Sequence, residues 1–268
     1  MMNGEQNAYR NLTVGTDGPV LHIGLNRPDS HNALNAELIR EISDCFEKLS
    51  NDEQVRAIVL SGEGRSFCAG ADIAYMRDTA EFSYEENLED ARSLASMFRA
   101  VEECPKPVVA KVRGAAIGGG AGLVAAADVV VAEEDTVFSF SEVRLGIAPA
   151  TIAPFVVRKV GLSHSRRLFL TGERFGADRA REIGLVHEVA SEDELDDVVR
   201  RTVGQLLKGG PEALAVIKAL LRELGEATPE EATELMAHRI ADLRTGEEGQ
   251  EGLGAFIEKR EPFWREGS

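Results

Sequence analysis

Residues 114 to 122 read Gly-Ala-Ala-Ile-Gly-Gly-Gly-Ala-Gly. Glycines at that density let backbone come close to a ligand, and at a helix N-terminus they leave N–H groups pointing outward. Such amides suit an oxyanion or a phosphate. Two familiar phosphate loops do not fit. A GxGxxG started at Gly118 meets Leu123 at its sixth position, and no Gly-Lys-Ser/Thr follows. Tight helix packing is the other use of such small residues, and spacing leaves both uses open. Twenty residues after Gly122 stands Glu142, in the company of Phe140, Val143 and Leu145. A carboxyl in apolar surroundings loses hydration of its charged form, its pKa rises, and it becomes suited to moving protons. A solvent-facing Glu in a strand or loop is the plainer alternative. A second small-residue segment, Gly62-Glu-Gly-Arg-Ser-Phe-Cys-Ala-Gly-Ala-Asp-Ile73, follows an apolar run and serves as well for a structural turn as for a site. Cys68 within it reads as a small buried residue, because no His stands in a recognisable partner motif.

Other chemistries are absent from the pattern. The five histidines (His22, His31, His164, His187, His238) are scattered, with no HExxH, so no metal site is expected. No G-x-S-x-G elbow marks a serine hydrolase. Thirty basic against 46 acidic side chains leave a formal charge of −16, which argues against nucleic acid and against anionic lipid surfaces as partners. No apolar run approaches the roughly 20 residues of a membrane span, and the polar start from Met1 to Arg10 has no signal-peptide core. Cys45, Cys68 and Cys104 form no CxxC pair, so free thiols and a cytoplasmic location are expected.

The elements that must carry these residues follow from hydrophobic periodicity. Val20 to Leu25 reads as a strand, and so do the apolar runs Ala57 to Leu60, Pro107 to Val112 and Asp128 to Ala132. Between them lie a helix capped by Asn35, with Leu38, Ile42, Phe46 and Leu49 on one face, and helices over roughly Tyr84 to Glu103 and Gly119 to Ala127. Strand alternating with helix predicts an α/β core with parallel pairings. The last third reads as helical. Ser191 to Glu194 and Thr228 to Glu231 have the spacing of capping boxes, Gly209-Gly210-Pro211 is a break, and a helix is predicted from Pro211 to about Leu224. At 268 residues the chain can bury a substantial core with an appendage.

Taken in order, these segments resemble the enoyl-CoA hydratase/isomerase (crotonase) superfamily. The resemblance is carried by Leu25-Asn26-Arg27-Pro28 with Asn32-Ala33-Leu34-Asn35, by Phe67 to Ile73, by Lys106-Pro107 with Gly114 to Gly120, by Ser141-Glu142-Val143-Arg144-Leu145-Gly146, and by the tail Gly252 to Arg260. It spans essentially the whole chain. It implies a spiral of repeated ββα units over residues 1–195 and a C-terminal helical trimerisation region over 196–268, assembled as a homotrimer or homohexamer. It implies an acyl-CoA substrate, with coenzyme A entering as part of that substrate and no separate cofactor. By position, the N–H groups of Ala71 and Gly119 would form an oxyanion hole, where two fixed amides and a helix N-terminus stabilise an enolate; losing one such donor typically costs about 3–4 kcal/mol. Ala69, Asp72 and Ile73 would line the coenzyme A pocket, Phe256 and Lys259 would contact coenzyme A from the tail, and Arg27 lies near its expected path.

One departure stands out. Typical hydratases of this family carry two catalytic glutamates, the first in a Gly-Gly-Gly-x-Glu pattern. Here that position is Gly122, and Glu142 fills the second. Gly within a helix costs about 0.5–1 kcal/mol relative to Ala, so the glycine points to a need for room. Removing a carboxylate also removes about 4 kcal/mol of like-charge repulsion at 4 Å with an effective dielectric of 20. The segments Ala74-Tyr75-Met76, Asn87 to Arg92 and Ser141 to Val157 are similar to the bacterial methylglutaconyl-CoA hydratase branch, which also has Gly here. Three readings follow: hydration of a 2-enoyl-CoA, including a branched or carboxylated one such as 3-methylglutaconyl-CoA; Δ3,Δ2-enoyl-CoA isomerisation, for which one carboxylate suffices; or acyl-CoA binding without catalysis.

Overall fold

The computed structural model describes residues 9–50, 52–225 and 228–265. The polar start from Met1 to Ala8 lies outside the described residues. The described strands form two sheets. The larger takes β1 (Leu12–Asp17), β2 (Val20–Leu25), β3 (Ala57–Gly62), β4 (Val108–Val112), β6 (Val129–Glu133) and β9 (Glu188–Ala190), in the order β1-β2-β3-β4-β6-β9. The smaller takes β5 (Ala115–Ile117), β7 (Val137–Ser139) and β8 (Arg174–Gly176). Only the β1–β2 hairpin and the β7–β8 pair are antiparallel. The chain lays one strand in each sheet and then returns by a helix: β4 leads to β5 and α4 (Gly119–Ala126), and β6 to β7 and α5 (Ala153–Thr171). A lone parallel bridge from Cys68 to Ala116 gives the turn after β3 the same second contact. This is the repeated ββα spiral that the resemblance implies.

The near-continuous apolar strands follow from burial on both faces. Ile58, Leu60, Val108, Ala110 and Val130 point into the main core beneath α1 (Ala36–Leu49) and α3 (Tyr84–Glu103). Their neighbours Ala57, Val59, Val109 and Val131 point the other way, against Leu195, Val198, Val199 and Val203 of α7 (Leu195–Leu206). α7 is therefore part of the sheet's covering, and the helices outside it begin at Pro211, not at the predicted boundary of residue 196. Ser191 also departs from expectation. Its hydroxyl donates to Glu194 Oε2 at 2.9 Å, and the helix starts only at Leu195 without a side-chain cap. Asn35 caps α1 as predicted, through Leu38 N at 2.9 Å, and Thr228 forms a full capping box with Glu231.

The remaining helices are α2 (Ile73–Ala80), α6 (Ala177–Glu182), α8 (Pro211–Leu224), α9 (Pro229–Thr245) and α10 (Glu247–Glu258). α2 buries no residue; Asp72 starts it by accepting from Ala74 N and Tyr75 N. Among the described residues no helix is long and apolar enough to cross a membrane, and no group of three or more His, Cys, Asp or Glu is placed to hold a metal.

Candidate active site

The site lies where α4 leaves the smaller sheet. Gly118 turns the chain with φ +50, a conformation that favours glycine, and its N–H is spent on Ser139 O at 2.8 Å. The next residue, Gly119, opens α4, and its N–H finds no acceptor among the described residues. Across from it, Ala71 makes a parallel bridge with Leu34. Gly70 O accepts from Leu34 N at 2.7 Å, and Asp72 N donates to Leu34 O at 2.9 Å. Amides alternate in direction along an extended strand, so the Ala71 N–H faces away from Leu34, and it too is unpaired among the described residues.

Asn32 fixes this arrangement from below. It is fully buried, donates to Glu63 O and Ser66 O at 2.8 Å each, and accepts from Arg27 N at 2.8 Å. One carboxamide thus ties the turn after β2 to the turn after β3. Its replacement would leave the buried Ser66 carbonyl without this partner, at a cost of about 1–3 kcal/mol, and would free the partly buried Glu63 carbonyl and Arg27 N–H.

Ala69, Ala71, Gly118, Gly119 and Glu142 line one cavity of about 700 Å³, between α2 and α3 on one side and residues 145–152 on the other. Glu142 begins a 3-10 turn (Glu142–Leu145) after β7. Its Oε1 lies over Gly118, where a Cβ would come within 3.1 Å of it, so glycine lets the carboxyl rest against the start of α4. Its Oε2 is buried without a hydrogen-bond partner among the described residues. Burial pushes the Glu142 carboxyl above the usual range, and its own backbone N–H only partly offsets this. Of the apolar neighbours along the chain, Phe140 is fully buried while Val143 and Leu145 are exposed.

The glycine run divides its labour. Gly118 and Gly119 face the cavity, while Gly114, Gly120 and Gly122 are packing glycines: a Cβ on them would strike Arg65 O, Cys68 O and Ile152 Cγ2 respectively. Gly122 is the correction that matters. It leaves no room for substrate, because Ile152 and Phe98, both fully buried, close over it, with Phe98 Cε1 3.0 Å from where a Cβ would stand. The cavity wall at that place is Ile152.

The other predicted residues do not line this cavity. Arg27 and Asp72 engage each other at 2.8 Å, and Arg27 also donates to Ala33 O. The Arg27 guanidinium and the α2 amides hold the Asp72 carboxyl below its ordinary value. Ile73 is 70% exposed at the start of α2, Phe256 is 84% exposed on α10, and Lys259 follows α10 in a left-handed conformation. Sequence reasoning assigned no role to Tyr75 and Asp90, which do line the cavity. The Tyr75 hydroxyl donates to Asp90 Oδ1, and burial, with Asp90 adding to it, raises the Tyr75 pKa. They lie fifteen residues apart on two helices, a pairing that no local pattern signals. Cys45, Cys68 and Cys104 are free and buried.

The profile of the enoyl-CoA hydratase/isomerase family matches residues 15–267, and the chain belongs to that family. Among curated relatives, the crotonyl-CoA hydratase of Syntrophomonas wolfei is 33% identical over 94% of this chain and 97% of its own. The peroxisomal Delta(3,5)-Delta(2,4)-dienoyl-CoA isomerase of Arabidopsis thaliana is 31% identical over 95% of this chain and 97% of its own. The crystal structure of an enoyl-CoA hydratase from Shewanella pealeana matches with a TM-score of 0.93 at 38% identity, covering 97% of each chain.

Proposed function

We propose that the protein hydrates a 2-enoyl-CoA through a thioester enolate. The observation that carries this reading is Glu142: a buried carboxyl with an unpartnered oxygen, in one cavity with the two unpaired amides of Ala71 and Gly119. In this reading the thioester oxygen sits between the Ala71 and Gly119 N–H groups. Negative charge gathers there as the C2=C3 bond is attacked, and the fixed amides stabilise it without reorganising. Glu142 delivers a proton to C2. Burial favours its acid form over that of a hydrated carboxyl, which suits it to proton donation.

The acyl group in this proposal is short, and branched or carboxylated, as in 3-methylglutaconyl-CoA. Two things support it: the similarity of residues 141–157 to the methylglutaconyl branch, and the lack of a second carboxylate at Gly122. That support is electrostatic rather than steric, since Ile152 fills that space, and it concerns the Gly122 side of the cavity alone, because Asp90 carries a carboxyl on the opposite wall. The described walls offer an acyl carboxylate hydroxyl donors such as Ser141 and Thr151 and no Lys, Arg or His, so it would be held by hydrogen bonds without an ion pair. The coenzyme A moiety would run past Ala69, Asp72, Ile73 and Arg27, with Phe256 and Lys259 reached from the tail of a neighbouring subunit. Exposed Leu221, Phe256 and Ile257 support a trimer built through the C-terminal helices. The three free thiols suit a cytoplasmic setting.

A second reading, double-bond isomerisation, has its own support in the single carboxylate beside the Ala71 and Gly119 amides. Turnover of crotonyl-CoA, 3-methylglutaconyl-CoA and a 3-enoyl-CoA by the same preparation separates the two. Water addition to either 2-enoyl substrate is the expected result; isomerisation without it would overturn the hydratase reading. Coenzyme A binding with no turnover of any of the three would favour the non-catalytic reading.

A further inference from the structure

Hydration across C2=C3 sends a hydroxyl to C3 and a proton to C2. A single carboxyl can supply the proton, but the attacking water must also shed one, and it needs an acceptor held beside C3. Gly122 cannot supply it, because Ile152 and Phe98 cover that position. Among the described residues lining the cavity, the titratable side chains are Glu142, Tyr75 and Asp90. Tyr75 lies on the first turn of α2, four residues after Ala71. Asp90 lies on α3, one turn before Leu94, which also lines the cavity. The phenol donates its proton to Asp90 Oδ1, so the lone pairs of its oxygen remain available, and Asp90 Oδ2 has no partner among the described residues.

We propose that the Tyr75–Asp90 pair holds and deprotonates the water that adds to C3. As the C3–O bond forms, the water O–H bond breaks and its proton passes to the Tyr75 oxygen. The phenolic proton passes on to Asp90. The electron pair of the double bond moves through the enolate to C2, which takes the proton of Glu142. The cycle leaves Asp90 protonated and Glu142 ionised, and exchange with solvent through the cavity mouth restores both. Tyr75 touches the reacting water; Asp90 acts through Tyr75 as its proton acceptor. This assignment rests on the hydratase reading above.

The test uses the full chain and two reactions. Hydration of crotonyl-CoA needs both the pair and Glu142, whereas exchange of the C2 protons of butyryl-CoA into D2O needs only Glu142 and the amides. Tyr75→Phe and Asp90→Asn are expected to lower the hydration kcat by at least about 100-fold while exchange, read by NMR, stays within about threefold. Glu142→Gln is expected to lose both. Hydration by Asp90→Asn within about threefold of the parent would overturn the proposal, as would parallel loss of exchange in both variants, which marks a packing role. A parent protein that exchanges butyryl-CoA but hydrates no enoyl-CoA overturns the hydratase reading itself, and the pair's role with it.

Discussion

The α/β core up to Leu206 and the helices after Gly210 are held in different ways. In the core, the central strands β3, β4 and β6 are covered on both faces, and α1 buries a full apolar stripe of Leu38, Ile39, Ile42, Phe46 and Leu49, whereas the short α2 beside the cavity buries no residue. α8 and α9 bury no residue, and α10 buries only Ala255. The tail helices rest on polar devices: a capping box at Thr228, the pairs Arg239–Glu223 and Arg260–Glu251, and the anchors Lys218–Asp128 and Arg56 to Trp264 O that tie them to the core. Solvent-exposed pairs such as Arg200–Asp197 contribute little, typically below about 1 kcal/mol each. Apolar side chains left open along the tail, such as Ile217, Leu221, Met236 and Ile240, have the character of a surface awaiting another protein surface. The core thus holds the cavity with Glu142, and the tail leaves apolar surface open.

That contrast can be broken at several points. The largest expected effect is in the core: Glu142→Gln lowers kcat by about a thousandfold or more, near 4 kcal/mol, with KM little changed in steady-state assays. Gly120→Ala drives a Cβ into Cys68 O and is expected to cost about 3 kcal/mol in denaturant unfolding, a loss that no tail substitution should match. In the tail, Leu221→Asp with Ile257→Asp is expected to reduce the mass seen by sedimentation to that of one chain, with the far-ultraviolet circular dichroism retained. An unchanged mass would show that these faces are not the interface. Phe256→Ala and Lys259→Ala are expected to raise KM for an acyl-CoA about three- to tenfold and leave kcat alone; a fall in kcat would draw the tail into the chemistry.

The smallest effect tests the site's electrostatics. A carboxyl whose pKa is raised on folding costs no stability below its ordinary pKa. As pH rises from there through the raised value, the folded state loses stability, because it must then bury the charge. Glu142→Gln is therefore expected to unfold at higher denaturant than the parent at pH 8 and at the same denaturant near pH 4.

Much of the architecture was legible because its causes are local. Asn35 and Thr228 cap helices through residues three positions away, and β2, α3 and α8 follow apolar periods that any window reveals. Ser191 shows the limit of that logic: the same spacing exists, but the hydroxyl spends its proton on the Glu194 side chain and the helix begins later. The boundary after α7 was misplaced for a related reason. Amphipathic helices look alike whether they cover a sheet or another subunit, and only packing against Val59, Val109 and Val131 distinguishes this one.

The sequence by itself determined the alternating α/β pattern, the glycine run after a strand, the single glutamate twenty residues beyond Gly122, and through these the family. These are properties of residue order, and neighbours along the chain suffice to read them. Tertiary structure decided which glycines face the cavity and which only pack, that Ile152 stops the slot above Gly122, and that Tyr75 and Asp90 meet across two helices. It also decided that Glu142 is buried in a cavity shared with residues of α2 and α3. Those facts depend on distances between residues far apart in the chain, and the energies involved, collision, burial and hydrogen bonding, act only over the few ångströms that folding closes.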